Sequence, residues 1–163
     1  MTEKEMFLNS YQREFEITLK FLNALPQEHA DFRPSAQFQS AIELAWMFPE
    51  EDRIMIGGAL DGDVVFKNNT APETINEVIT AYRKSHQAYA ARINDLADEE
   101  FGQMITFGSG AEASKQMRRG DVLWLAIMDG AHHRGQFSVY IRLSGGKVPT
   151  LYAPSDEPSA SNM

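Results

Sequence analysis

The chain has 163 residues, 43% hydrophobic and 23% charged, which fits one globular domain with a sizeable core and excludes a disordered chain. Fifteen basic residues against 23 acidic ones give a net charge of −8, a poor balance for neutralising phosphates, so no nucleic acid is expected as a partner. The absence of cysteine removes disulfides, thiolate-built zinc sites and a cysteine nucleophile. No membrane is expected either. The longest strongly apolar stretch, residues 122–128, is far too short to span a bilayer. The first residues are charged and lead straight into helical periodicity with no secretory pattern, so the expected location is cytoplasmic.

The first helix is predicted over residues 3–23. Thr2 and Glu5 have the spacing of a capping box, and Leu8, Tyr11, Phe15, Leu19 and Leu22 recur on one stripe before Pro26 ends the run. A second helix is predicted over 40–58, opened by Ser40 and Glu43. Pro49 falls inside it and should kink or restart it. A third helix is predicted over 72–97, with Thr70 as cap and Glu73 completing the box. Its buried face carries Ile75, Val78, Tyr82, His86, Tyr89, Ile93 and Leu96.

Residues 99–120 break the pattern with Gly102, Gly108, Gly110 and Gly120, leaving room for a short strand over 104–107. The fourth helix is predicted over 121–144, capped by Asp121 and stopped by Gly145-Gly146. These elements predict an all-α domain over residues 1–150: an antiparallel four-helix bundle around one core, with a long crossover before the last helix. Residues 151–163, rich in Pro, Ser and Asp, are expected to form a partly flexible C-terminal arm.

Read one by one, most polar residues have plain roles. Lys115, Arg118 and Arg119 read as a solvated loop cluster, and His29 as solvated. His86, on an apolar face, reads as a core histidine, and Met47, in an apolar run, as core filling. His132 and His133 read as a pair on a helix face. Arg134 is expected to pair with an acid on a neighbouring helix, and Gln136 to hold backbone or a site residue. No phosphate loop, GxSxG or HExxH motif is present.

One stretch is more specific. Asp129-Gly130-Ala131-His132-His133-Arg134-Gly135-Gln136 contains an HRGQ motif on the last helix, followed by Ser138 to Leu143 and by Gly145-Gly146-Lys147-Val148-Pro149. Together with Glu43-Leu44-Ala45-Trp46 on the second helix, this resembles the DinB-like superfamily over nearly the whole chain.

The resemblance implies a divalent metal held by three histidines, one just after the Ala-Trp pair and two spaced i, i+4 on the last helix. That spacing lets two imidazoles converge on one ion from one helix face. The corresponding positions here are Met47, Asp129 and His133, so only one histidine is kept. Asp129 remains a possible ligand, whereas the Met47 thioether suits soft ions alone. A register shifted by one residue gives Met128 and His132, and Glu50 or Glu51, close after Met47, is a possible substitute.

The function these readings favour is a DinB-like protein with a degenerate metal site, a small-molecule-binding or non-catalytic member holding no metal, or a divalent ion such as Zn or Ni only weakly. The alternative is a metal-dependent thiol S-transferase or hydrolase acting on a small molecule, with Asp129 and His133 as ligands. The resemblance also implies a homodimer.

Overall fold

The computed structural model describes residues 1–108 and 114–152. Helix α1 (Glu3–Ala24) begins where Thr2 and Glu5 cap each other. The Thr2 hydroxyl accepts from the Glu5 N–H at 3.3 Å, and Glu5 accepts from the Thr2 N–H at 2.9 Å. Helix α2 (Ala41–Glu51) opens with the same reciprocal pair, Ser40 and Glu43. Pro49 withholds one N–H from the ladder without ending it. The helix runs on through a widened π segment (Asp52–Gly57) and a last turn, α3 (Gly58–Asp61), which stops at Gly62 with a φ of +85°. Helices α4 (Ile75–Asp95) and α5 (Arg119–Leu143) complete four long rods.

The expected short strand is present as β2 (Met104–Phe107), and it has two partners that the sequence did not suggest. It pairs in parallel with β1 (Asp63–Val64) and antiparallel with β3 (Lys115–Arg118), in the order β1-β2-β3.

Contacts between the rods fix their directions. Lys4 Nζ donates to the carbonyls of Asn94 and Leu96, so the start of α1 meets the end of α4. Glu3 accepts from Arg118 and Trp124, so α1 and α5 start together and run in parallel. The Tyr140 hydroxyl donates to the Gln39 carbonyl, bringing the end of α5 to the start of α2. Ser85 donates to Asp52 and Phe48 packs against Tyr82, so α2 and α4 run the same way. The chain must therefore return along the bundle between α3 and α4. Residues 62–74 make that lengthwise crossing; the connection before α5 turns at one end, where it carries β2 and β3.

The expectation of one continuous core needs correcting. Buried apolar residues fall into two clusters. One gathers around Phe21, Leu22, Leu44, Ile75, Phe137 and Ile141, the other around Phe7, Ile56, Ile93, Phe101, Val122 and Leu123. Each long rod contributes to both. Along α1, the buried Glu14 and Thr18 follow Tyr11 and flank Phe15; on α5, Arg134 lies between the parts assigned to the two clusters, and on α4 His86 does.

Three local expectations also change. The third predicted helix starts later, at Ile75, because Thr74 and Glu77 form the capping box in place of Thr70 and Glu73. Asp121 does not cap α5; that position is Arg118, and Asp121 sits in the first turn with its carboxylate 2.7 Å from the Arg118 guanidinium. The basic cluster is not a solvated loop. Arg118 is clamped by Glu3 and Asp121, and Arg119 is buried, donating to the carbonyls of Ala59 and Glu100. Just before the arm Val148 is buried, and at the arm's start the Tyr152 hydroxyl donates to Glu14 at 2.7 Å. Its expected flexible end falls on residues 153–163, outside the described residues.

Candidate metal centre

Two helices present the polar groups. On α5, Asp129 and His133 are four residues apart and share a face. On α2, Met47 and Glu51 have the same spacing. The antiparallel packing of α2 on α5 turns these two faces toward each other. Met47, Glu51, Ile54, Phe66, Asp129 and His133 all line one cleft of 250 Å³. One ligand atom each from Glu51, Asp129 and His133 lies within 4.8 Å of the other two. A wider groove of 680 Å³, walled by Phe38, Trp46 and Asn69, opens beside it and shares Met47, Glu50 and Asn68.

The electrostatics of the cleft are unusual for a structural ion pair. Glu51 is 9% exposed, and its nearest cationic partner is His133, with Nδ1 3.5 Å from Oε2, longer than a good hydrogen bond. Burial, with the nearby Asp129 carboxylate adding to it, pushes the Glu51 carboxyl up to about 7, while His133 pulls the other way. The Glu51 contact raises His133 above its ordinary value against the opposing effect of burial. Among the described residues, Glu51 Oε1 and His133 Nδ1 are both buried without a hydrogen-bond partner. Two carboxylates and an imidazole, converging and under-satisfied, match the donor chemistry of a divalent cation site.

The other residues singled out in the sequence go elsewhere. Glu50 is buried and occupied: it accepts from Arg53 and from the Asn69 backbone and side chain. The shifted register is not brought to the cleft. Met128 is 60% exposed, and His132 faces outward, 3.0 Å from Gln136. Gln136 therefore does not support the cleft. Arg134 does find an acid on a neighbouring helix, Glu14 of α1, and also donates to Thr18 and to Tyr152. His86 is buried, stacked on Phe15 at 3.8 Å and 2.9 Å from Gln12 Oε1.

Sequence reasoning did not find Phe66 and Asn68, which reach the cleft only because residues 62–74 cross back along α2. Nor did it find Asp52, which is buried beside Glu50 and Glu51.

A four-rod bundle with a carboxylate–imidazole cluster between two facing helices sets candidate ligands where helical bundles can build a site. The chain belongs to the DinB family, whose pattern matches residues 1–162. It is similar to the uncharacterized protein YrdA of Bacillus subtilis (strain 168), at 26% identity over 156 residues covering 93% of this chain and 89% of that protein. Among solved structures it resembles a DinB-like protein from Bacillus cereus, with a TM-score of 0.77 and 25% identity over 91% of this chain and 97% of that one. It also shares its fold with the DinB-like protein YjoA of Bacillus subtilis, at a TM-score of 0.71 and 16% identity over 90% of this chain and 97% of that one.

Proposed function

We propose that this protein is a DinB-family member whose metal centre is rebuilt around Glu51, and that the adjoining cleft binds a small molecule at a divalent cation held by Glu51, Asp129 and His133. The observation that carries the reading is the convergence of the three ligand atoms to within 4.8 Å. Ligands at ~2.0–2.2 Å from one ion lie about 3–4.3 Å from each other, so small side-chain movements close the set. Charge supports it too. A dication offsets two carboxylates that otherwise face each other across a site where Glu51 is almost fully buried.

Oxygen-rich donors with one imidazole favour a hard or borderline ion such as Mn(II), Fe(II) or Zn(II) over a soft one. When bound, such an ion acts as a Lewis acid toward an oxygen or sulfur of the small molecule. The chain's own residues supply the rest. Met47, Ile54 and Phe66 give the cleft an apolar wall, and the groove past Met47 and Asn68 has room for the remainder of a ligand. A transferase or hydrolase activity on a small molecule is the catalytic form of this reading. The second reading is a metal-free binding protein, favoured by Met47 standing where the family resemblance implies a histidine.

Metal titration of untagged protein separates the two. The unaltered chain is expected to take up one divalent ion, and Glu51→Ala, Asp129→Ala and His133→Ala each to weaken it by at least about two orders of magnitude. Glu50→Gln, outside the set, is expected to leave the affinity within a few-fold. Equal binding by wild type and Glu51→Ala would remove Glu51 from the centre, and no uptake by wild type would favour the metal-free reading.

A further inference from the structure

The crossing segment is pinned to α2 around one buried carboxylate. Glu50 accepts from the Asn69 backbone N–H at 2.6 Å and from the Asn69 side chain at 3.1 Å. Arg53 donates to both Glu50 oxygens, at 2.9 and 2.8 Å, and to the Lys67 carbonyl. Trp46 Nε1 donates to the Asn69 carbonyl at 3.2 Å. These bonds set Phe66 and Asn68 into the wall of the cleft, and they leave the Arg53 guanidinium committed.

The groove repeats the pattern. Arg33 Nη2 lies 3.0 Å from Glu43 Oε2, and Nη1 donates to the Phe38 carbonyl at 2.9 Å. Among the described residues, Arg33 is the one Lys or Arg that lines either space; Lys67, between Phe66 and Asn68 in the chain, lines neither. Acids outnumber it: Asp31, Glu43 and Glu50 border the groove, and Glu50, Glu51 and Asp129 border the cleft. Bonds from Ser40 and then Arg33 hold Glu43 below its ordinary pKa. Burial works against Glu50, but its bonds from Arg53 and Asn69 hold it low as well, so both carboxylates stay charged at neutral pH. A bound dication offsets Glu51 and Asp129, Arg53 offsets Glu50, and Arg33 offsets Glu43. Among the described residues lining the two spaces, no cationic side chain is left over to meet an acidic group on a ligand.

We propose that the small molecule taken by this cleft is uncharged or cationic apart from the atom that meets the metal, and that carboxylates and phosphates on its body are excluded. The inference deepens the reading of the cation centre and rests on it for where the ligand's reacting end sits. An anionic group entering the groove gives up water and finds guanidinium ions already bonded to carboxylates, so its desolvation is not offset. Repulsion from Asp31, Glu43 and Glu50 adds to this and is screened by salt. A neutral amide meets neither cost. An amidinium is drawn to the same acids, and the Phe38 and Trp46 rings of the groove suit a cation. Met47, Ile54 and Phe66 take the apolar body.

Three benzohydroxamates test it on the full chain loaded with one equivalent of Zn(II). The hydroxamate meets the metal in all three. The para substituent is a carboxamide, a carboxylate or an amidine, which share one planar shape and differ in charge. Calorimetry at low salt is expected to place the carboxylate about tenfold or more below the amide and the amidine level with the amide or above it, the carboxylate gap narrowing at high salt. Glu43→Gln keeps the capping box and releases Arg33, so it is expected to raise the carboxylate relative to the amide by about three- to tenfold. A carboxylate that binds as well as the amide, a gap that ignores salt, an unchanged ratio in Glu43→Gln, or no binding of any of the three overturns the proposal. If the wild type takes up no Zn(II), the metal reading has failed on its own. The same three molecules are then compared on the metal-free chain by ligand-observed NMR, where a carboxylate level with the amide, or silence from all three, overturns the charge selection.

Discussion

His86 carries a clear signature at the residue scale. Its ring is stacked on Phe15, Nε2 meets Gln12, and Nδ1 is buried without a partner among the described residues. Burial lowers its pKa from 6.5 to about 4, with Glu16 pulling weakly the other way. Between those values the unfolded chain binds a proton that the folded chain refuses, so this group's contribution to stability falls as the pH drops from about 6.5 to 4. The full shift corresponds to at most ~3 kcal/mol. Glu51 and Asp52, both pushed up to about 7 by burial, act with the opposite sign, because the folded chain takes their protons first. The comparison that isolates His86 is therefore a difference. Denaturant unfolding of His86→Phe relative to wild type is expected to show the variant gaining stability between pH 7 and pH 4.5, and a pH-independent difference would contradict the buried, neutral imidazole. The burial of His86 was legible in the sequence because position 86 falls on the apolar face with Tyr82 and Ile93. Its bond to Gln12 was not, since that depends on how α4 docks on α1.

The elements show where local chemistry suffices and where packing decides. Thr2–Glu5 and Ser40–Glu43 set helix starts that the sequence announces, because a capping box is complete within four residues. Thr74–Glu77 is equally visible, but Thr70–Glu73 with Pro72 offers a competing box, and only the docking of the crossover segment selects between them. The i, i+4 pairing of Asp129 and His133 was likewise readable, whereas the entry of Glu51 required knowing that the helix passes through Pro49 with its face preserved. Two glycines test the packing of these rods. A Cβ at Gly58 would lie 2.9 Å from Val64 Cα and 3.0 Å from the Asp63 carbonyl, so α3 meets β1 through backbone that cannot step aside. Gly135 on α5 has open space around it among the described residues. Gly58→Ala is expected to lower the unfolding free energy by about 1–3 kcal/mol, and Gly135→Ala to raise it by about 0.5–1 kcal/mol through helix propensity. Chemical denaturation of both variants checks this; a destabilised Gly135→Ala would mean that something beyond the described residues occupies that face.

At the scale of the whole molecule, α5 is apolar on its outer side as well as its inner one: Met128, Val139 and Leu143 are all at least half exposed, and Phe38 stands exposed nearby. A second copy of the chain pairing through this face, with two-fold symmetry, is the assembly we expect. Light scattering at tens of micromolar should then give the dimer mass, and Val139→Glu should return the monomer; a monomeric wild type contradicts the pairing. The bundle itself was legible from four periodic segments. Its up-down-down-up order was not, because periodicity says which face of a helix is buried and nothing about which neighbour it runs beside. That order decides the centre, since the crossing of α2 on α5 brings Glu51 within reach of Asp129 and His133. The most direct test is anomalous diffraction from crystals of untagged protein soaked in Zn(II). The account predicts one strong peak ~2.0–2.3 Å from a carboxylate oxygen of Glu51, one of Asp129 and a ring nitrogen of His133. A cleft without a peak, in crystals where zinc is bound elsewhere on the chain, would contradict it.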